Sequence, residues 1–197
     1  MSASPHPSFA LRIPLQLGLA TAVLFAVLAT AVAGSGVPPL ELLEQHWLQQ
    51  LHAQRDPLLT AWMRGVERLH DPVVAVALSA FVTALLFRRR WRELPLLLAI
   101  TLGGGVMNNL AKGWFQRERP ELDALVSARG FGFPSGHTMA VTLLAAWMLY
   151  LACRSGTHRA LRWAGVLGPL MVVAVVGFSR VYLGAHYPSD VAAAILA

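Results

Sequence analysis

Three short segments of this 197-residue chain concentrate polar groups between long apolar stretches. The first is Lys112-Gly-Trp-Phe-Gln-Arg-Glu-Arg119-Pro120, directly after a charge-free run. Taken alone it also reads as a basic flank whose side chains snorkel out of an apolar layer. Lys112 is unusual, however, because fifteen of the sixteen basic residues are Arg. The second segment is Phe133-Pro134-Ser135-Gly136-His137. Pro-Ser-Gly before an apolar run is a helix start with Ser135 as its N-cap, a reading that needs no function. The same turn offers free N–H groups to an anion, with the His137 imidazole beside them as an acid. The third is Ser179-Arg180-Val-Tyr-Leu-Gly-Ala-His186-Tyr-Pro-Ser-Asp190. Pro188 suits the first helical position, so Asp190 falls in the first turn, where its charge complements the helix dipole. From there the carboxylate can reach back to His186 and fix one ring nitrogen, leaving the other free as nucleophile or base. An N-terminal acid with a neighbouring interfacial histidine has the same sequence.

The elements that must position these segments are membrane spans. The chain is 56% hydrophobic and 13% charged, with a mean hydropathy of +0.55, which points to a bilayer as its solvent and away from a disordered chain. Its single cysteine, Cys153, excludes an intramolecular disulfide framework and a Cys-rich zinc site. A crossing helix needs about 20 mostly apolar residues. Five stretches fit, at about Ile13 to Ala33, Pro72 to Phe87, Leu94 to Ala111, His137 to Cys153 and Trp163 to Phe178. The second and third are short, which implies thinning of the bilayer, snorkelling flanks or burial within the bundle. A sixth opens near Pro188 and stops at Ala197, so the natural chain is expected to continue. The first span is followed by Ala-Val-Ala-Gly-Ser, like a signal-peptide cleavage site. Its apolar stretch is longer than such a signal's and is preceded by one Arg, so a retained anchor is expected.

Charge placement sets the orientation. Arg12, Arg88, Arg89, Arg90, Arg92, Arg154, Arg159 and Arg162 fall on one side, which carries +7 with Glu93 included; the other side holds eight basic and nine acidic residues, or −1. The positive-inside bias therefore places the N-terminus and the Arg-rich loops in the cytoplasm. The net charge of +6 thus lies between spans rather than on one basic face, which argues against nucleic-acid binding. Three outward segments remain: Gly34 to Asp71, Lys112 to Gly136, and Ser179 to Tyr187. The first reads as two interfacial amphipathic helices started by Pro38-Pro39 and Pro57. Their apolar stripes are Leu40, Leu43, Trp47, Leu48 and Leu51, then Leu58, Leu59, Trp62, Met63, Val66 and Leu69. They either lie on the membrane or form a lipid-access wall beside the site. Trp91, Trp114 and Trp163 fall at span ends, as interfacial aromatics do.

This topology lets Lys112, Arg119, His137, Arg180, His186 and Asp190 meet in one outward layer. Three cations with helix-end N–H groups suit the oxygens of a phosphate and counter charge that develops in phosphoryl transfer. Two histidines of different role suit covalent transfer. No dense carboxylate or Cys/His set suggests a metal, so the cations stand where a metal stands elsewhere. Gly103-Gly104-Gly105 reads mainly as close helix packing, and Asn108 and Asn109 could support the site from behind. His46, His52 and His70 read as interfacial polar residues, and His6 and His158 as cytoplasmic.

Lys112 with six residues before Arg119-Pro120, then Pro134-Ser135-Gly136-His137, then Arg180 with five residues before His186 and three more before Asp190, resemble the three-part signature of the type 2 phosphatidic acid phosphatase family. Each motif alone is modest, whereas the three in order at these spacings are specific; the resemblance covers about residues 105–197. It implies an all-α, polytopic membrane bundle of about six spans forming one domain over 1–197, and a metal-independent phosphatase without a cofactor. By that resemblance His186 is the nucleophile, Asp190 orients and activates it, and His137 protonates the leaving group. Lys112, Arg119 and Arg180 would bind phosphate oxygens, with further donors from Ser135 and Gly136. The soluble haloperoxidase branch, which holds vanadate in a similar pocket, does not fit a chain of membrane spans. Bacterial members of similar size act on phosphatidylglycerophosphate, undecaprenyl pyrophosphate, phosphatidate or lipid A phosphates. The expected partner is a membrane lipid within the bilayer. The rival readings are a lipid-to-lipid phosphotransferase using the same site, and a non-catalytic lipid-binding or transport protein, which the presence of His137, His186 and Asp190 disfavours.

Overall fold

The computed structural model describes residues 7–33, 38–68, 94–121, 124–154 and 159–197, and among them the secondary structure is helical throughout. In chain order the helices are α1 (Pro7–Ala33), α2 (Pro38–Ala53), α3 (Pro57–Arg68), α4 (Leu94–Phe115), α5 (Gly136–Arg154), α6 (Arg159–Tyr182) and α7 (Pro188–Leu196). The expected span at Pro72 to Phe87, the arginines at 88, 89, 90 and 92, Trp91, and His6, His70 and His158 lie outside the described residues. Four of the described helices carry a segment long and apolar enough to cross a membrane, at Gln16–Ala33, Leu94–Phe115, Gly136–Arg154 and Trp163–Tyr182. The α4 segment corrects one expectation. It runs 22 residues and is not short, because helical bonding passes through Lys112, whose carbonyl accepts the Gln116 N–H at 3.0 Å. A cation in the last turn is favoured by the helix dipole, so counting charge-free residues ended the helix too early.

The bundle is built around α5, which packs on α4, α6 and α7, while α1 lies against α7 and α2 and α3 lie against α6. Leu97 of α4 meets Leu144, Trp147 and Leu151 of α5, and Val141 and Ala145 of α5 meet Val173 and Val176 of α6. Gly104 sets the distance between α4 and α5: a methyl group there would collide with Leu143 Cδ1, whereas Gly103 and Gly105 face open space. The tight packing expected of the glycine run thus rests on Gly104. Phe133 is fully buried among Ala29, Val32 and Ala193. Its ring stands edge-on to Phe115 at 4.9 Å between centroids, which anchors the loop before α5. The apolar residues Leu19, Val27, Leu102, Met107, Leu110 and Met171 remain exposed, as lipid-facing side chains should.

The interfacial pair begins where the prolines place it. The inward face of α2 differs from the expected stripe: Leu48 and Glu44 are buried, while Leu43 and Trp47 face outward. The helix is turned because Glu44 reaches partners on two other segments, described below, and an acid so bonded belongs on the inner face.

Candidate active site

The site is assembled at the end of the bundle where α4 finishes, α5 starts and α6 turns into α7. After α4 the chain reverses at Gln116, whose φ is 45°, and Arg117 O accepts the Gly132 N–H at 2.7 Å. This brings the first signature segment alongside the loop that precedes α5. Lys112 Nζ donates to Phe131 O at 2.6 Å. Arg119 is held at Nε by Gly130 O at 2.8 Å and at Nη1 by Ala185 O at 2.8 Å. Its Nη2 donates to the carbonyls of Arg129 and Phe131 at 3.1 and 3.2 Å.

At the other wall, the α6–α7 turn folds His186 back over Arg180, whose carbonyl accepts the Ala185 and His186 N–H groups at 3.0 and 3.3 Å. The turn requires Gly184, which adopts φ +78° with Ala124 Cα and His52 Cε1 close to where a Cβ would stand. Tyr187 then caps α7 with extended backbone, Pro188 starts it, and Asp190 sits in its first turn as expected. The Asp190 Oδ2 atom accepts the Tyr187 N–H at 2.9 Å.

His186 and Asp190 are both fully buried. The Nε2 of His186 lies 3.1 Å from Arg119 Nη1. A guanidinium only donates, so Nε2 carries the lone pair and the ring proton belongs on Nδ1. That proton faces Asp190 Oδ2, with Nδ1 and Oδ2 3.4 Å apart. This is longer than a hydrogen bond, and such contacts often close only when substrate binds. Burial lowers the His186 pKa to about 4 against the raising effect of Asp190, with Arg119 and Arg180 adding to the fall. Burial together with the Arg180 charge also holds Arg119 below the ordinary arginine range. Arg180 is buried as well; its Nη1 stands 3.5 Å from Glu67 Oε1. Its Nε and Nη1 make no hydrogen bond among the described residues.

Lys112, Arg119, Gly136, His137, Arg180 and His186 all wall one cavity of about 710 Å³. From this polar end it continues between α4 and α5 past Gly104, Met139, Leu143 and Leu144, which provides an apolar continuation for a ligand with a charged head. Ser135 stands behind the wall. It is fully buried, its N–H donates to Asp190 O at 3.0 Å, and its hydroxyl accepts from Thr138 at 3.0 Å. Asn108 donates to Pro134 O at 3.4 Å and so braces the same loop.

Two residues that the sequence reading passes over complete the arrangement. Arg117 Nη1 donates to Asp190 Oδ1 at 2.6 Å and to Ser189 Oγ at 2.7 Å, and its Nη2 pairs with Glu44 Oε2 at 2.7 Å. Glu44 Oε1 accepts the Ser189 N–H at 2.7 Å. Burial alone would lower the Arg117 pKa, yet Asp190 and Glu44 outweigh it and raise it above the ordinary arginine value. Arg117 lies inside the first signature segment and could be suspected there; Glu44 gives no signal beyond being an acid near an apolar stripe.

Cations and a buried imidazole at the head of an apolar channel are an arrangement that could hold the oxygens of a phosphate. Phosphatidylglycerophosphatase B of Bacillus subtilis is 32% identical to this chain over 145 residues, which cover 70% of the chain and 68% of that protein. Decaprenylphosphoryl-5-phosphoribose phosphatase of Mycobacterium tuberculosis is 27% identical over 71% of the chain and 74% of its own length. The crystal structure of a transmembrane PAP2-type phosphatidylglycerolphosphate phosphatase from Bacillus subtilis superposes with a TM-score of 0.82, at 24% identity, over 91% of this chain and 89% of that one. It shares the fold. Residues 92–197 match the PAP2 superfamily, and with the relatives above this places the chain in that family of phosphatases, the one its three-part signature resembles.

Proposed function

We propose that the chain is a metal-independent lipid phosphatase that removes phosphate from a lipid phosphomonoester or pyrophosphate through a phosphohistidine, at the outer face of the membrane. In this reading His186 Nε2 attacks phosphorus, forming a P–N bond as the P–O bond to the lipid breaks. His137 gives its proton to the departing oxygen. Water then attacks the phosphohistidine, His137 takes its proton, and the P–N bond breaks to release inorganic phosphate. Lys112, Arg119 and Arg180 hold the phosphoryl oxygens and balance the charge of the transition state. Asp190 orients His186 through Nδ1–H and stabilises the imidazolium side of the exchange. The lipid chain lies between α4 and α5. The observation that carries the reading is the buried His186 ring, which walls one cavity together with Lys112, Arg119 and Arg180 and has its Nε2 3.1 Å from Arg119 Nη1.

The test is release of inorganic phosphate by the purified chain in detergent, on phosphatidylglycerophosphate, phosphatidate and undecaprenyl pyrophosphate. Activity is expected to survive EDTA, to vanish in His186→Ala, and to leave a phosphohistidine on rapid acid-free quenching. Full activity of His186→Ala would overturn the nucleophile, loss of all activity to EDTA the metal-free mechanism, and transfer of phosphate to a second lipid in place of water the hydrolase assignment.

A further inference from the structure

We infer that Arg117 and Glu44 are positioning residues for the His186–Asp190 pair, Glu44 acting from the interfacial helix α2 through Arg117. This rests on the reading of His186 as nucleophile. A carboxylate turns easily about its last side-chain bond, and Asp190 must present one oxygen to His186 Nδ1. Two donors prevent the turn: Arg117 Nη1 at 2.6 Å on Oδ1 and the Tyr187 N–H at 2.9 Å on Oδ2. With both in place, Oδ2 is the oxygen that faces Nδ1, at 3.4 Å.

Arg117 is itself a long side chain and needs fixing. Its Cζ lies 4.3 Å above the Tyr187 ring, and Nη2 is paired with Glu44 Oε2 at 2.7 Å. Glu44 is buried and uses its second oxygen on the Ser189 N–H at 2.7 Å, in the first turn of the helix that carries Asp190. Charges therefore alternate along Glu44, Arg117 and Asp190 before the imidazole. Because Arg117 is divided between two carboxylates, it neutralises neither fully, and Asp190 retains charge with which to accept the Nδ1 proton. If Glu44 is made neutral, Arg117 bears on Asp190 alone and weakens that acceptor. None of the contacts of Arg117 and Glu44 reaches the residues that wall the cavity, so the effect belongs to turnover rather than to binding.

The test uses the full chain in detergent with dioctanoyl phosphatidate as substrate, and orthovanadate inhibition as a measure of the phosphate pocket. In folded Glu44→Gln, kcat should fall about tenfold, in the range seen for residues that orient a catalytic ligand from behind. The KM and the vanadate inhibition constant should stay within about twofold of the wild type, and Glu44→Asp should recover much of kcat. Because Glu44 acts through Asp190, adding Glu44→Gln to Asp190→Asn should lower kcat no further, which a merely structural role would not produce. Should Glu44→Gln fail to fold by gel filtration, Arg117→Lys decides by the same criteria, being expected to lose kcat with KM retained. Wild-type kcat in these variants, a change confined to KM or vanadate inhibition, or a full further loss in the double variant would each overturn the inference. An inactive His186→Ala alongside fully active Glu44 and Arg117 variants removes this inference alone, whereas a fully active His186→Ala removes the nucleophile reading with it.

Discussion

For the proposed attack on phosphorus the His186 imidazole must be neutral, and burial favours that form. Burial lowers its pKa to about 4, the nearby Arg119 and Arg180 charges push in the same direction, and Asp190 opposes them only in part. The folded chain therefore binds fewer protons at this site than the unfolded chain wherever the pH lies between about 4 and the ordinary histidine value near 6.5. The stability contributed by neutral His186 is complete above about pH 6.5 and is lost as the pH falls toward 4, a term of about 3 kcal/mol for a shift of this size. In 15N-histidine spectra, the resonance absent from His186→Asn should keep its neutral form down to about pH 4. The wild type should also lose more thermal stability than His186→Asn on acidification from pH 6.5 to 4. A midpoint near 6.5 would show that burial does not control the ring. In the proposed reaction an anionic phosphate between the cations would change that balance, its negative charge offsetting Arg119 and Arg180 and favouring the imidazolium character that develops during transfer.

Among the elements, the α6–α7 turn brings His186 to the cavity walled by Lys112, Arg119 and Arg180. Six residues after Arg180 the chain has reversed, and Gly184 makes the reversal with a left-handed backbone at φ +78°. Gly184→Ala places an L residue in that conformation, at a cost of about 1–2 kcal/mol. The added methyl also presses on Ala124 Cα at 3.2 Å and His52 Cε1 at 3.1 Å. The variant should unfold several degrees lower and lose kcat as His186 shifts, and thermal denaturation with phosphate-release assays on the same sample checks both. Much of this element plan is legible in the sequence, since Pro38, Pro57 and Pro188 start helices where their fixed φ suits the first turn. What escapes sequence reading has physical reasons. Counting charge-free residues ended α4 at Ala111, although a lysine is well placed in a last helical turn and the helix runs to Phe115. Hydrophobicity alone points to a different inward face for α2, but Glu44 turns inward to reach Ser189, 145 residues away in the chain, and no local pattern records a contact of that range. Spacing brings Arg119 and His186 into one site; it does not reveal that the guanidinium faces Nε2 and so assigns the ring proton to Nδ1.

At the scale of the whole molecule, apolar side chains such as Leu102, Met107, Leu110 and Met171 face outward on the long helices, while the ionisable groups of the site gather at one end of the bundle. That division is what a lipid phosphatase needs, with the charged head among cations and the chain left in hydrocarbon. Helix α5 relates the two ends. His137 stands in its first turn and Cys153 is its penultimate residue, sixteen positions that span about 24 Å at helical rise, close to the thickness of a bilayer core of about 30 Å. Cys153 is therefore on the side opposite the site, next to Arg154 and the basic segment that the positive-inside bias assigns to the cytoplasm. It is exposed and is the single cysteine of these 197 residues, so this chain reports its own orientation. A membrane-impermeant maleimide should leave Cys153 unmodified in sealed right-side-out vesicles and should label it in inverted vesicles or after permeabilisation. Labelling in sealed right-side-out vesicles would place the phosphate site on the cytoplasmic leaflet and reverse the proposed sidedness, while the chemistry argued from His186, Asp190 and the three cations would stand on the other face.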